Sequence, residues 1–380
     1  MTTTAKSIYR TYQTRGYSSR AGYARIREVL RACRWLYNRS LEQRRNIYRA
    51  CGKSITKFTQ MKQLTKLRAE QQTWRDLSVQ VPRGVIARLD RAFQDFFRRV
   101  KAGETPGYPR FQGAGRYQCI ELAEVTPGMV RGNHIKVKGL PVIRIRSSRP
   151  LPDSKQLKAL RLVMHGRILM VDLVYEERVN ALQPNADAVG IDMGVNERMT
   201  LSDGRTVERQ VVNRKKERRL QRVISRRKRG STGRRKAVAA FAREKRRNAI
   251  RNRNACHRIT TDLVQRFGHI AIEGLQIRNM TAVGGRYKKG LNREILRQTW
   301  GMLRQQLVYK AEWAGRQLVE VNPAYTSRTC SACSFRNDRS GEYRTFICSD
   351  CGHVQDRDVN AARNVLARGN FAPVAQRWVQ

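Results

Sequence analysis

The sequence predicts a multidomain α+β protein in which a helical domain is inserted into a small β-barrel and an α/β domain follows. Three observations predict this fold class. Residues 18–103 carry apolar side chains at helical spacing, and residues 104–182 carry short alternating runs separated by Gly and Pro. The second half then alternates strand-like and helix-like segments.

The predicted elements of the first half begin with a short strand at residues 6–14 (KSIYRTYQT), which we expect to join the barrel. Three helices follow: one carries Ile26, Val29, Leu30, Cys33, Leu36, Tyr37 and Leu41, one starts after an N-cap at Ser54, and one opens at Pro82 and stops at Gly103. The segment PGYPRF then breaks the helical pattern, and four runs of strand-like sequence follow it. We therefore assign residues 1–17 and 104–182 to the barrel and 18–103 to the helical domain.

The second half reads as an α/β domain over residues 183–323 and 354–380, interrupted by a cysteine-rich segment at 324–353. Its strands are VGIDM, the run before the SDG turn, HIAIE and QLVEV, and a last helix covers VNAARNVLARG. Residues 205–258 hold 22 Lys and Arg and are predicted to form two basic helices with a hinge at 229–233.

The net charge of the chain limits the classes of protein to which it can belong. The 380 residues include 78 Lys and Arg against 30 Asp and Glu, a net charge of +48. An ordinary enzyme surface carries far less, and so large an excess is typical of a protein that binds long nucleic acids. The two basic helices could also be merely solvated, but so many like charges on one element favour nucleic-acid contact through Arg226, Arg227, Arg229, Arg234 and Arg235.

Three carboxylates stand out because they lie in apolar or helix-terminal settings. Asp192 ends the run VGID, Glu273 ends IAIE, and Asp358 precedes the last helix. Hard oxygen ligands of this kind suit Mg²⁺ or Mn²⁺, and a pair of such ions can promote phosphodiester hydrolysis. Each acid alone could instead cap a strand or pair with one of the many cations.

Four cysteines form two Cys-x-x-Cys pairs, Cys330 with Cys333 and Cys348 with Cys351. This spacing predicts one closed, structural Zn²⁺ site, and a pair of disulfides is the alternative. The other four cysteines, Cys33, Cys51, Cys119 and Cys256, are scattered, so we expect them to be small core residues. The N-terminus has no apolar run of a secretory signal, and no segment is long and apolar enough to cross a membrane.

Six segments of the chain carry recognisable motifs, namely PGYPRFQGAGRYQ, GIDMGVNERMTLSDG, AIEGLQIRNM, NPAYTSRTCSACS, CSDCGH and DRDVNAARNVLARG. Together they resemble the TnpB-type RNA-guided endonucleases of bacterial insertion sequences, which are related to compact type V CRISPR effectors. The resemblance implies a helical recognition domain inserted in a wedge-type barrel, then an RNase H-like (RuvC) nuclease domain interrupted by a zinc ribbon.

Carried onto this chain, the resemblance makes Asp192, Glu273 and Asp358 the three RuvC acids. Asp358 is chosen over Asp356 because it directly precedes the x-Asn-Ala-Ala segment. One departure is visible: Ser334 follows Cys333 where the family often has Gly, and we expect a small backbone strain there.

The resemblance implies an enzyme that binds a structured guide RNA and cuts double-stranded DNA beside a short flanking motif, with one strand displaced. It implies a bacterial, cytoplasmic protein that joins the nucleoid when bound to DNA. The alternatives are a CRISPR effector with array-derived guides, a transposase, and a guide-dependent repressor. The oligomeric state is left open.

Overall fold

The computed structural model describes residues 5–126, 128–147, 149–195, 197–208, 214–285, 288–337 and 344–371, with the side chain of Arg214 excepted. These residues fall into two compact units. One is Ser7–Arg178, and the other contains the described residues from Val179 onward together with Ala5 and Lys6.

Besides a short 3₁₀ helix at Ser154–Gln156, the described residues of the first unit form four α-helices and seven strands. In chain order they are β1 (Lys6–Tyr17), α1 (Arg20–Cys51), α2 (Lys57–Glu70), α3 (Gln72–Asp76), α4 (Gln80–Lys101), β2 (Cys119–Glu121), β3 (Val130–Arg131), β4 (His134–Ile135), β5 (Ile143–Arg146), β6 (Leu157–His165) and β7 (Ile168–Val179). The short helix α3 was not predicted. The N-cap of α2 is Thr56, whose hydroxyl accepts from the Thr59 N–H at 3.3 Å, so the prediction of Ser54 is wrong by two residues.

The sheet of this unit has the strand order β2-β6-β7-β1-β5-β4-β3. Strand β1 pairs antiparallel with β5, so the predicted pairing of the first strand with the later ones is confirmed. Among the described residues β2 and β3 end the sheet and do not pair with each other. The structure therefore shows a curled sheet, and closure into the predicted barrel is not seen.

One apolar core joins the helices to the sheet. It includes Ile26, Leu41, Leu89, Leu160 and Val171, all fully buried. Helix α4 meets β2 closely at Gly84, where a Cβ would lie 1.9 Å from the carbonyl oxygen of Glu121. The predicted apolar face of α1 is confirmed, since all seven of its apolar side chains are buried on one side of the helix. On α2 and α4 the predicted faces are wrong in part, because Phe58, Phe97 and Val100 are exposed.

The second unit contains, in chain order, β8 (Ala188–Asp192), β9 (Met199–Leu201), β10 (Thr206–Val207), α5 (Arg214–Arg226), α6 (Thr232–Arg266), β11 (His269–Glu273), α7 (Ile277–Ala282), α8 (Lys288–Gln298), α9 (Trp300–Ala314), β12 (Gln317–Val321), β13 (Thr345–Ile347), β14 (Val354–Asp356) and α10 (Arg357–Arg368). Its five-stranded sheet has the order β10-β9-β8-β11-β12. Strands β8, β11 and β12 are parallel, β9 pairs antiparallel with β8, and β10 pairs antiparallel with β9. Strands β13 and β14 form a separate hairpin.

Helices α5 and α6 form the two basic helices that the sequence predicts. They contact each other through buried carboxylates: Glu217 accepts from Asn248 at 2.7 Å, and Glu244 pairs with Lys216 at 2.9 Å. The buried carboxylates neutralise part of the positive charge between α5 and α6. This helical pair, here called the basic hairpin, can therefore pack with few apolar contacts.

The proposed division into domains, with boundaries at residues 17, 103, 182, 323 and 353, stays a prediction; its ends at 1–4 and 372–380 lie outside the described residues. No helix in the described part of the chain is both long and apolar enough to cross a membrane.

Candidate active site and zinc centre

Two of the predicted acids end neighbouring parallel strands. Asp192 is the last residue of β8 and Glu273 the last of β11. The register aligns Ile191 with Ile272, so the two carboxylates lie side by side at the carboxyl edge of the sheet. Ligand sites of open α/β sheets lie at this edge.

The third predicted acid approaches from the helix that packs across β8 and β11. Asp358 is the second residue of α10. Asp356 is the N-cap of this helix, and its carboxylate accepts from the N–H groups of Asp358 and Val359 at 3.0 Å each. Asp356 is therefore used in capping, whereas the charge of Asp358 acts on Asp192.

The pKa values of the three acids reflect their partial burial and the proximity of like charges. Burial, followed by the charges of Glu273 and Asp358, raises the pKa of Asp192 to about 8 against the opposing charge of Arg357. Burial also raises the pKa of Glu273 and of Asp358. Such a site favours a bound cation, because a cation offsets both the desolvation and the mutual repulsion.

The donor set fits a hard divalent cation such as Mg²⁺ or Mn²⁺, since all three residues offer carboxylate oxygens. The three are neighbours without being in a tight cluster. Among the described residues, the four cysteines are the one group of three or more potential ligands whose atoms all lie within 4.8 Å of one another.

The four cysteines form a compact cluster in which all the sulfur atoms lie within 4.8 Å of one another. Sγ of Cys330 lies 3.7 Å from that of Cys351, and Sγ of Cys333 lies 3.6 Å from that of Cys348. Zn–S bonds of about 2.3 Å place tetrahedral sulfurs roughly 3.8 Å apart, whereas a disulfide needs about 2.05 Å. The geometry fits one zinc ion and favours it over the disulfide alternative.

Backbone amides support these thiolates. The Ala332 N–H points to Sγ of Cys330 at 3.4 Å, and the Cys351 N–H to Sγ of Cys348 at 3.5 Å. The Cys351 amide, with that of Asp350, lowers the pKa of Cys348 to about 7. A thiol that ionises readily at neutral pH is a good zinc ligand.

The candidate arginines of the basic hairpin differ in their surroundings. Arg226, Arg227 and Arg229 are exposed. Arg234 donates to the carbonyl oxygens of Ile224 at 2.6 Å and Arg227 at 3.1 Å, and so closes the C-terminal end of α5. Arg235 donates to the Thr232 hydroxyl at 3.2 Å. Arg234 therefore has a structural contact that the charge pattern did not reveal.

Comparison with known proteins gives two family models that match this chain. The model described as "Probable transposase" matches residues 172–284, and the one described as "Cas12f1-like, TNB domain" matches residues 300–365. Together they include Asp192, Glu273, Asp358 and all four cysteines of the cluster.

Two relatives align over nearly the whole chain. "Putative RNA-guided DNA endonuclease InsQ" of Escherichia coli (strain K12) is 31% identical over 93% of this chain and 91% of its own length. The chain belongs to the TnpB family of RNA-guided DNA endonucleases. A "Putative RNA-guided DNA endonuclease" of Streptomyces pristinaespiralis is 30% identical over 96% of this chain and 90% of its own length.

The fold of this TnpB-family chain is also similar to a solved structure described as "Cryo-EM structure of the Cas12f1-sgRNA-target DNA complex". The TM-score is 0.56 at 12% identity, with 95% of this chain and 98% of that chain covered. The likeness concerns the fold.

The family motifs around the acids have a packing reason. A Cβ at Gly190 would lie 2.1 Å from the carbonyl oxygen of Ala362 and 2.5 Å from the Leu366 nitrogen. Glycine at 190 and the small residues Ala361 and Ala362 let α10 lie directly on β8, which brings Asp358 toward Asp192.

Thr326 is a site residue that sequence reasoning missed. Its hydroxyl donates to Oε1 of Glu273 at 2.8 Å, and this contact opposes the rise in the pKa of Glu273 that burial causes. The only sequence signal was its place in NPAYTSRTC, where a threonine has no distinguishing pattern.

The departure from the family pattern at Ser334 is visible in the backbone. Ser334 has φ 64°, the left-handed conformation that Gly352 adopts at φ 70° in the second cysteine pair. The predicted strain is confirmed, since an L-residue in this conformation costs roughly 1–2 kcal/mol.

Proposed function

We propose that this chain is an RNA-guided DNA endonuclease of a transposable element that hydrolyses DNA at a single RuvC site. The observation that carries the proposal is that Asp192 and Glu273 end adjacent parallel strands, with Asp358 on α10 close enough for its charge to raise the pKa of Asp192. The membership of the TnpB family and the charge of +48 support it.

In this proposal Asp192, Glu273 and Asp358 hold two Mg²⁺ or Mn²⁺ ions. When bound, these ions would supply the charge that activates water and stabilises the departing 3′ oxygen. The three residues contribute through their fixed positions. The ends of β8 and β11 and the start of α10 hold the carboxylate oxygens in place before the substrate binds. Zinc at the four cysteines would be structural, because four thiolates leave no open coordination position.

The rest of the chain is proposed to bind nucleic acid. Helices α1–α4 would form a recognition domain, the curled sheet a wedge domain, and the second unit a RuvC domain with a zinc ribbon. A guide RNA would pair with one DNA strand and leave the other displaced, so that base pairing reads sequence. The exposed Arg226, Arg227 and Arg229 of the basic hairpin would contact phosphates, with Arg234 and Arg235 beside them.

The proposal is tested by cleavage with the RNA that copurifies with the protein. Double-stranded DNA carrying the complementary sequence and a randomised flank should be cut in Mg²⁺, and Asp192→Asn should bind the RNA and the DNA without cutting. Cleavage by Asp192→Asn at the wild-type rate would show that the carboxylate site does not hydrolyse the DNA.

The phosphate contacts are tested separately. Neutralising Arg226, Arg227 and Arg229 together should reduce the dependence of complex formation on salt, by about one unit of slope per lost contact on duplex. An unchanged slope would mean that these side chains are merely solvated.

A second candidate, a compact CRISPR effector with array-derived guides, is favoured by the match to the Cas12f1-like model. Sequencing the copurified RNA separates the two, because array-derived guides carry repeat sequence. A transposase would instead yield joined DNA without RNA, and a guide-dependent repressor would bind without cutting.

A further inference from the structure

The segment Asn322–Ser331, here called the β12–cysteine loop, joins the end of β12 to the first zinc-binding cysteine. This loop makes hydrogen bonds in two directions. Several polar side chains on one face of α10 bind its backbone, and one hydroxyl group of the loop donates to the candidate catalytic residue Glu273. The loop therefore touches the cysteine cluster and the carboxylate site at once.

The stripe on α10 consists of Asn360, Asn364 and Arg368, which are four residues apart and so lie on one face of the helix. Asn364 donates to the carbonyl oxygens of Thr326 at 2.8 Å and Thr329 at 2.6 Å. Arg368 donates to the carbonyl oxygens of Asn322 at 2.8 Å and Ala324 at 2.7 Å.

Asn360 completes the attachment at the cysteine end of the loop. Its amide donates to the Thr329 carbonyl oxygen at 2.8 Å, and its Oδ1 accepts from the Ser331 N–H at 2.9 Å. Asn360 is fully buried, so these hydrogen bonds are costly to lose. Ser331 lies between the cysteines of the first pair, and Asp358 lies two residues before Asn360.

The second contact runs from the loop to the sheet. Thr326 is 4% exposed and Glu273 is 7% exposed, and the hydroxyl of Thr326 donates to Oε1 of Glu273 at 2.8 Å. The same hydroxyl lies 3.1 Å from the Pro323 carbonyl oxygen, within its own loop. A buried threonine has few rotamers, so a fixed loop gives the carboxylate a fixed partner.

We propose that Thr326 is a positioning residue for the cation-binding carboxylates: the β12–cysteine loop, held by α10 and the zinc-binding cysteines, fixes the orientation of Glu273 through the Thr326 hydroxyl. The ribbon thereby contributes to divalent-cation affinity at a site formed by other elements. This inference rests on the proposed function of Asp192, Glu273 and Asp358. Partners of metal ligands of this kind typically change affinity 10–100-fold when removed.

The experiment measures Mn²⁺ binding by electron paramagnetic resonance and the Mg²⁺ concentration for half-maximal cleavage. Thr326→Val, which keeps the shape and removes the donor, should weaken Mn²⁺ binding about tenfold and raise the half-maximal Mg²⁺ concentration similarly. Thr326→Ser, which restores the hydroxyl, should return both values to within about threefold of wild type.

The matched control is Thr329→Val in the same loop. The Thr329 hydroxyl donates to the Tyr325 carbonyl oxygen at 2.9 Å and does not reach the acids. Zinc content and thermal midpoint should be alike in the two valine variants. If Thr326→Val matches Thr329→Val in Mn²⁺ affinity, the positioning role is wrong although the protein still cuts.

Failure of the proposed function looks different. Asp192→Asn would then bind Mn²⁺ as wild type does, and this result would overturn both the carboxylate site and the positioning role of Thr326. Should Thr326→Val not fold, Thr326→Ala provides the same test, with a wild-type Mn²⁺ affinity again overturning the proposal.

Discussion

The second unit contains two candidate metal centres built on opposite principles. The cysteine cluster comes from one short stretch of chain, and its four sulfur atoms lie within 4.8 Å of one another. The carboxylate site is assembled from β8, β11 and α10, which are distant in sequence, and its members repel one another. The difference shows that a local motif can set the geometry of the cysteine site, whereas the carboxylate site depends on the folded sheet and gains from a cation that offsets the repulsion.

The largest difference between the centres should appear in catalysis. Glu273→Gln removes one charged ligand and should slow cleavage about a thousandfold or more, the equivalent of about 4 kcal/mol, with zinc content unchanged. Single-turnover DNA cleavage and metal analysis measure the two effects. Glu320→Gln is the control, because Glu320 lies on β12 and pairs with Arg304 at 2.6 Å. Near-normal cutting by Glu273→Gln would contradict the site.

The next effect concerns zinc. Cys348→Ser removes one of four thiolates from a closed site, so the zinc content should fall from about one ion per chain to near zero. Mass spectrometry of metals in purified protein measures it. Cys51→Ser, at an exposed and isolated cysteine, should leave the content at one. Full zinc in Cys348→Ser would show that the cluster is not the binding site.

A smaller effect should appear in stability. The pKa of Asp192 is raised in the fold to about 8 from an ordinary value near 4, so the folded state loses stability as the pH rises through this window. Asp192→Asn should therefore raise the thermal midpoint in Mg²⁺-free buffer at pH 8 by about 2–4 °C, as about 1 kcal/mol does in a domain of this size.

The same measurement at pH 5 is the control for Asp192→Asn, because the carboxyl group of the wild type is mostly protonated there. Adding Mg²⁺ at pH 8 should stabilise the wild type more than the variant. An Asp192→Asn variant with a lower thermal midpoint at pH 8 would show that the repulsion is unimportant.

The smallest expected effect concerns Ser334, whose backbone has the left-handed conformation beside the cysteine cluster. Ser334→Gly should stabilise the ribbon by about 0.5–1 kcal/mol, since glycine removes the strain but adds freedom to the unfolded chain. Ser331→Gly, at a position without positive φ, should be neutral or destabilising. Chelator-driven zinc release followed by absorbance compares the variants, and faster release from Ser334→Gly would contradict the expectation.

Sequence reasoning located the ligand types of both centres, but for different reasons. The cysteine spacing is a local pattern that carries its geometry with it, so Cys330, Cys333, Cys348 and Cys351 could be grouped at once. The acids could be named only as residues at strand or helix ends. Their meeting depended on the parallel pairing of β8 with β11 and on the contact of α10 with Gly190.

Other features depended on contacts that residue type and spacing do not show. The N-cap at Ser54 was misplaced because Thr56 has the same capping chemistry two residues later. Of the predicted barrel the structure shows a curled sheet, because alternating strands specify a sheet but do not specify whether its two ends pair. The contact of Arg234 with the end of α5 could not be predicted, because charge patterns do not show which carbonyl groups lie within reach.

The sequence by itself determined the charge, the helical faces, the zinc ligand set and, through its motifs, the family. These properties follow from residue type and short-range spacing, which need no distant partner. Only the tertiary structure decided which acids are neighbours, that Asp356 is occupied as a helix cap, and that Thr326 reaches Glu273. Those facts depend on the packing of elements far apart along the chain, where a hydrogen bond forms only after the sheet and α10 have fixed the distance.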